Sequence, residues 1–263
     1  IEKVKHPIIR EVLKEEKLFK KSLELTTLAD IPSGTGLGSS GSFTTALIKA
    51  IYFDQRKIIS GKKLAEKACK IEIDKLKEPS GKQDQYISSY GGIKNFLFQK
   101  DGSVLLKKHR IKSSFIDYFL NNSLLIFTGF TRESKSLLKQ QKKETETNNK
   151  DMIEKLHFTK SLGHEIKKSF EKEDLKEISI LMNDHWQSKM KRSKGMSNLR
   201  INNLYEHLMK NGCIGGKLIG AGGGGYLLML CKNKKKALNE LNYKGYHNTT
   251  CSLDNEGTKI INF

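Results

Sequence analysis

The run Ile31-Pro32-Ser33-Gly34-Thr35-Gly36-Leu37-Gly38-Ser39-Ser40-Gly41-Ser42 constrains this chain more than any other stretch. It lies between a strand-like segment (Leu23, Leu25, Leu28) and a helix-like one running from Phe43 to Phe53. Glycine has no Cβ to hold a ligand away from the backbone, and it tolerates positive φ. Successive backbone N–H groups can then converge on an anion, helped by the positive end of the following helix. The run reads as a phosphate cradle with Ser33, Gly34, Gly36, Gly38, Ser39 and Ser40 as its contact positions. A nucleotide-using enzyme is the first expectation.

Two other phosphate loops fit poorly. Gly36-x-Gly38-x-x-Gly41 has the spacing of the dinucleotide fingerprint, but Leu23, Glu24, Leu25 and Thr26 alternate like a half-exposed antiparallel strand. The fingerprint needs a buried parallel strand, and an acidic residue ending a second strand. Asp54, at roughly the right distance, follows a helix instead. Gly216-Lys217 is followed by leucine and lacks the earlier glycine of a Walker A loop.

The 263 residues suffice for one large domain or two small ones. The net charge of +19 is mostly lysine spread along the chain, with runs such as 139–150 and 232–236 that read as solvated helix faces. Aromatic residues are not interleaved with it as a nucleic-acid stacking surface requires. Cys69, Cys213, Cys231 and Cys251 are scattered without metal-ligand spacing, as in a reduced cytoplasmic protein. No apolar run approaches the roughly 18 residues of a membrane span.

Periodicity predicts an amphipathic helix over 7–19, a helix from Gly61 to Leu76, and a hairpin of 93–97 and 104–106 around Asp101-Gly102. A composition change across 112–122 suggests a boundary, giving domains 1–112 and 113–263. Beyond it come a strand at 124–127, helices over 134–170, 172–191 and 198–211, a strand at 226–230, a helix near 233–241 and two short terminal strands. The mixture implies an α+β fold.

The loop with Pro32 resembles the P-x-x-x-G-L-G-S-S signature of the GHMP kinases, the family of galactokinase, homoserine kinase and mevalonate kinase. Gly81-Lys82-Gln83-Asp84-Gln85-Tyr86 resembles the family's catalytic-aspartate segment, and Gly220-Ala221-Gly222-Gly223-Gly224-Gly225 its third signature. Within the family the likeness is greatest to the D-glycero-D-manno-heptose 7-phosphate kinases and the kinase domain of bacterial fucokinases. It rests on the aspartate segment, on Phe127-Thr128-Gly129-Phe130-Thr131-Arg132, on Trp186 with Lys189, and on the run from Gly215 to Gly225.

The resemblance implies a GHMP kinase fold: a phosphate-loop domain of ribosomal-protein-S5-like character and a ferredoxin-like C-terminal domain. It implies transfer of the ATP γ-phosphate to the anomeric hydroxyl of a sugar 7-phosphate, the 1,7-bisphosphate feeding nucleotide-activated heptose and surface polysaccharide. Asp84, read as a loop carboxylate, would orient or deprotonate the sugar hydroxyl; Ser40 and Glu72 would hold Mg²⁺. Their separation, from Glu72 to Asp84, is close to that in the family. Arg132, Lys189 and Lys217 are candidate contacts for the sugar's own phosphate, with Gly222 and Gly223 leaving room for substrate. Trp186 reads as core, and His157, His164 and His185 as ordinary helix residues. Family members begin with a strand and a first signature that this chain does not show, so an N-terminal sugar-contacting part is expected to be missing. Alternatives are a fucose- or galactose-type kinase on an unphosphorylated sugar, and a non-catalytic nucleotide- or sugar-binding module.

Overall fold

A computed structural model describes residues 1–18, 22–107, 110–131, 134–192 and 195–261. Contacts group the chain into two units, one of residues 1–33, 38–107 and 253–263, the other of 34–37 and 108–252. The phosphate-loop run is thus divided, with residues 34–37 in the second unit and Gly38 onward in the first.

The first unit is mostly helical. Helix α1 (Pro7–Glu15) starts with proline in its first turn and with His6 accepting from the Ile9 N–H. Helices α2 (Ser39–Asp54) and α3 (Gly61–Cys69) pack with it around Val12, Leu47, Ile48, Ile51, Leu64, Ala68 and Ile71. The helix expected to run to Leu76 changes repeat instead: Lys70–Lys75 is a π-helical turn. Glu15 of α1 receives Lys70 and Lys75 at 2.6 Å each, and Glu16 receives Lys67 at 2.7 Å, tying α1 to this turn. Helix α4 (Gln83–Tyr90) follows, then the expected hairpin of β1 (Asn95–Phe98) and β2 (Val104–Lys107).

The strand expected around Leu23, Leu25 and Leu28 is absent, and all three side chains are exposed. Alternation makes a strand only where a neighbour completes the ladder and covers one face, and no described segment pairs with 22–29. Among the described residues the two terminal strands are also absent. An isolated bridge joins Ile126 to Asn248, while the segment 254–258 is held to the end of α4 by long-range backbone bonds in which Gly92 N–H donates to Asp254 O and Thr258 N–H to Ser88 O.

In the second unit the segment suspected of being a boundary is helix α5 (Ser113–Asn121), anchored by buried Phe115. Strand β3 (Ser123–Phe127) joins β4 (Cys213–Leu218) and β5 (Tyr226–Cys231) in an antiparallel sheet of order β3-β5-β4. The single helix expected over 134–170 is two, α6 (Ser134–Glu146) and α7 (Lys150–Glu171). Asn148 takes a positive φ of 54° and Asn149 caps α7 through Met152 N–H, a local break that lysine-rich periodicity conceals. Helices α8 (Leu175–Met190), α9 (Leu199–Lys210) and α10 (Lys234–Tyr243) complete the unit.

Helix α8 approaches β4 closely enough that any side chain on Gly215 would collide with the Ser179 backbone, while the Tyr205 hydroxyl of α9 donates to Gly216 O at 3.2 Å. Trp186 is fully buried in this core, as expected, beside Tyr205. Cys213 and Cys231 are less scattered than they read in sequence. They are register partners on β4 and β5, with sulfurs 3.4 Å apart as free thiols. Helices and antiparallel strands together make the expected α+β class. Among the described residues no helix is long and apolar enough to cross a membrane.

Candidate active site

Gly38 sits at the N-cap of α2 with φ 76°, a left-handed conformation that glycine adopts without strain. The first bond back into the helix runs from Ser42 N–H to Gly38 O, and no side chain caps the end. The N–H groups of Ser39, Ser40 and Gly41 therefore lead the helix with no intrahelical acceptor, at its positive pole. This is an anion-ready terminus, carried by the residues that the sequence nominates.

Glu72 lies beside it on the π turn, only 2 % exposed. Burial pushes its carboxyl up, contacts with Ser40, Gln85 and Thr44 pull it back, and the Asp84 charge pushes it up again. Thr44 in turn donates to Ser40 O at 2.8 Å. Glu72 Oε1 and Gln85 Oε1 are both buried with no hydrogen-bond partner. A carboxylate oxygen without a donor is costly in a protein interior. A hard divalent cation would satisfy it, and Ser40 supplies a second oxygen of the kind Mg²⁺ takes. No group of three or more His, Cys, Asp or Glu gathers among the described residues, so the protein would offer few ligands. That suits Mg²⁺, which keeps water and nucleotide oxygens around it. The residues present fit this ion.

Asp84 is on the first turn of α4, not in a loop. A side chain at Gly38 would begin 3.4 Å from its Cγ. Burial raises its carboxyl above the ordinary value. A carboxylate made more basic in this way, close to a second carboxylate and a helix N-terminus, is suited to taking a proton from a hydroxyl.

In the second unit Thr35 and Gly36 meet the glycine cluster. A side chain on Gly220 would begin 2.7 Å from Gly36 Cα, and one on Gly225 would collide with the Thr35 carbonyl. The cluster is itself fixed: Gly223 N–H donates to Met196 O and Gly225 N–H to Phe130 O, each at 2.8 Å. Gly222 lies against Met196 Sδ and Lys189 Cε. The Lys189 ammonium donates to Leu218 O and Gly220 O. Lys217 Nζ lies 2.8 Å from His185 Nδ1. Both lysines are thus withdrawn from bulk solvent, and His185, read as an ordinary helix residue, is their neighbour. No signal in the linear sequence joins His185 to Lys217, because they come from α8 and β4. Arg132 lies outside the described residues.

A family model of the GHMP kinases N terminal domain matches residues 3–92, and one of the GHMP kinases C terminal matches 166–247. The D-glycero-alpha-D-manno-heptose 7-phosphate kinase of Campylobacter jejuni is 28% identical over 87% of this chain and 67% of its own length. The L-fucokinase/L-fucose-1-P guanylyltransferase of Bacteroides fragilis is 26% identical over 89% of this chain, which spans 24% of that longer protein. Among solved structures, a D-glycero-D-manno-heptose 1-phosphate kinase from Bacteroides thetaiotaomicron superposes with a TM-score of 0.74 at 22% identity, covering 97% of this chain and 75% of its own. Lactococcus lactis galactokinase complexed with galactose gives 0.67 at 18% identity, covering 96% and 74%.

Proposed function

Because the chain belongs to the GHMP kinases and is similar to sugar-phosphorylating members of that family, we propose that it phosphorylates the anomeric hydroxyl of a heptose 7-phosphate at the expense of ATP. The product would be the 1,7-bisphosphate, a form suited to nucleotide activation for polysaccharide synthesis. In the transfer the bond between the anomeric oxygen and Pγ forms, the bond from Pγ to the β–γ bridging oxygen breaks, and ADP leaves. The hydroxyl proton goes to Asp84.

The observation that carries this reading is the juxtaposition, in one unit, of the uncapped α2 terminus, the orphaned oxygen of Glu72 and the half-buried carboxylate of Asp84. Ser33, Gly34, Gly36, Gly38, Ser39 and Ser40 receive the ATP phosphates. Ser40 and Glu72 would hold Mg²⁺, which when bound offsets the charge of the β- and γ-phosphates. Lys189, Lys217, Gly222 and Gly223, with Arg132, serve the sugar. A binding module without catalysis has no use for a half-buried carboxylate at Asp84 whose charged form is disfavoured by its surroundings.

Asp84→Asn keeps the shape and loses the proton acceptor. It should lower kcat by about 10²–10⁴ while leaving Mg-ATP affinity close to wild type. Unchanged turnover of heptose 7-phosphate in that variant removes Asp84 from the chemistry.

A further inference from the structure

Within the first unit, segment 254–258 joins α2 to α4. Asp254 turns it: its Oδ1 accepts from Glu256 N–H at 2.9 Å and from Gly257 N–H at 3.2 Å. The Gly92 N–H, just past α4, donates to Asp254 O. A side chain on Gly91 would collide with Gly257 N, and one on Gly257 would begin 2.8 Å from Ser88 O, so the two backbones touch. Thr258 then sits between the helices. Its N–H donates to Ser88 O at 2.7 Å, its hydroxyl lies 2.9 Å from both Ser88 O and Thr45 Oγ1, and its carbonyl accepts from the Lys49 ammonium.

Ser88 O belongs to the last turn of α4, where carbonyls run out of helical donors, and Thr258 N–H supplies one. Thr45 is fully buried on α2 and gives its one proton to Ser42 O at 3.0 Å, which leaves its oxygen to accept from Thr258. Ser42 and Ser88 also meet directly, Oγ to Oγ at 3.0 Å. Ser88 lies four residues beyond Asp84 on the same face of α4. Gly41 of α2 has no side chain to hold Asp84 away. The contacts at Thr258 are thus one helical turn, about 5.4 Å, from the place where α2 meets Asp84. No side chain of 254–258 belongs to the apolar core of this unit, so the segment acts through its polar contacts.

We propose that segment 254–258 is a strap that sets the spacing between the phosphate-binding helix and the aspartate helix, with Thr258 as a positioning residue for phosphoryl transfer. This rests on the kinase reading above and extends it to residues outside the signature motifs. The phosphate contacts at the start of α2 are backbone N–H groups and need no second helix. Transfer needs more: Asp84, carried by α4, has to meet a hydroxyl held against a phosphate carried by α2. Nucleotide binding is therefore insensitive to the strap. The rate of transfer depends on it, because a misplacement of about 1 Å costs up to about 100-fold.

The test uses the intact protein. Thr258→Val keeps the shape and the N–H but removes the hydroxyl. It should lower kcat for heptose 7-phosphate about 10- to 100-fold, with the Mg-ATP dissociation constant unchanged by calorimetry. Thr258→Ser, which keeps the hydroxyl, should restore the rate. Thr45→Val, across the same bond, should give the same loss, and the double variant no further loss. Wild-type kcat in either valine variant, a matching loss of Mg-ATP affinity, or no rescue by serine overturns the proposal. Hydrogen exchange, which needs no substrate, separates the strap from the sugar reading. If wild type does not phosphorylate heptose 7-phosphate, that reading fails alone. Thr258→Val should still speed exchange of the 84–92 amides about tenfold while leaving those of 7–15 unchanged. Unaltered exchange at 84–92 overturns the strap.

Discussion

A side chain on Gly41 would begin 2.9 Å from the Asp84 carbonyl carbon and 3.0 Å from Asp84 Cβ, so α2 and α4 meet almost backbone to backbone at the residue bearing the carboxylate. Alanine within a helix ordinarily stabilises it by up to about 1 kcal/mol over glycine. Here overpacking of about 1–3 kcal/mol opposes that gain. Gly41→Ala should therefore lower the melting temperature, and by displacing Asp84 it should cut kcat by as much as about 100-fold. A more stable variant with wild-type kcat contradicts the contact.

The glycine cluster offers a second test. Gly220 has a φ of +72° and its missing side chain leaves room for Gly36. Gly220→Ala adds left-handed strain of about 1–2 kcal/mol together with a clash against the phosphate-loop run. Mg-ATP should bind about tenfold more weakly, with far-ultraviolet circular dichroism unchanged. Retained affinity would mean that Gly36 does not contribute to nucleotide binding.

Glu72 makes a prediction about pH. Its folded carboxyl titrates above the ordinary value of 4.5, with burial as the largest cause. The folded state therefore holds the proton more tightly than the unfolded chain. Stability falls as pH rises from the ordinary value through the raised one, and stays lower above it. Glu72→Gln should melt higher than wild type at neutral pH without Mg-ATP, and the gap should close in acid. With Mg-ATP present the order should narrow or reverse, because the variant lacks an anionic ligand. Thermal melts at several pH values, with and without Mg-ATP, decide this.

Glu15 has the opposite sign. Lys70, then Lys75, hold its carboxyl at about 2, below the ordinary 4.5. The stabilisation is present above the ordinary value and is lost as pH falls through about 2. The lysine side chains are 52% and 29% exposed, so solvent screening leaves the pair worth about 1 kcal/mol. Glu15→Gln should lower stability by that amount at pH 7 and flatten the acid limb of the stability curve. An unchanged denaturation midpoint at pH 7 would show that the pair contributes nothing.

The parts of this molecule that could be read from its sequence are those written in local backbone chemistry. Gly38 needs its left-handed turn wherever it is placed, and Asp101-Gly102 closes its hairpin with a local bond from Ser103 N–H to Asp101 Oδ1. Alternation at Leu23 and Leu25 misled because a strand is a relationship, and no described neighbour completes it. The His185–Lys217 contact and the Cys213–Cys231 pair depend on the alignment of separate elements, which spacing along the chain does not carry. Lysine abundance hid the rest. Among 48 basic residues, Lys189 and Lys217 differ from the others only in what folds over them.

The π turn from Lys70 to Lys75 makes the proposed metal site sensitive to chain length. Each residue of an α-helix advances about 100° around the axis, and a π turn absorbs one residue more than the α repeat allows. Deleting Lys70 or Ile71 would let the segment relax into a regular helix, carrying the Glu72 carboxylate about a quarter turn away from Ser40. Most surface loops accept the loss of a residue with little effect. At this place a single deleted codon would separate the carboxylate from the serine while leaving both side chains in the sequence.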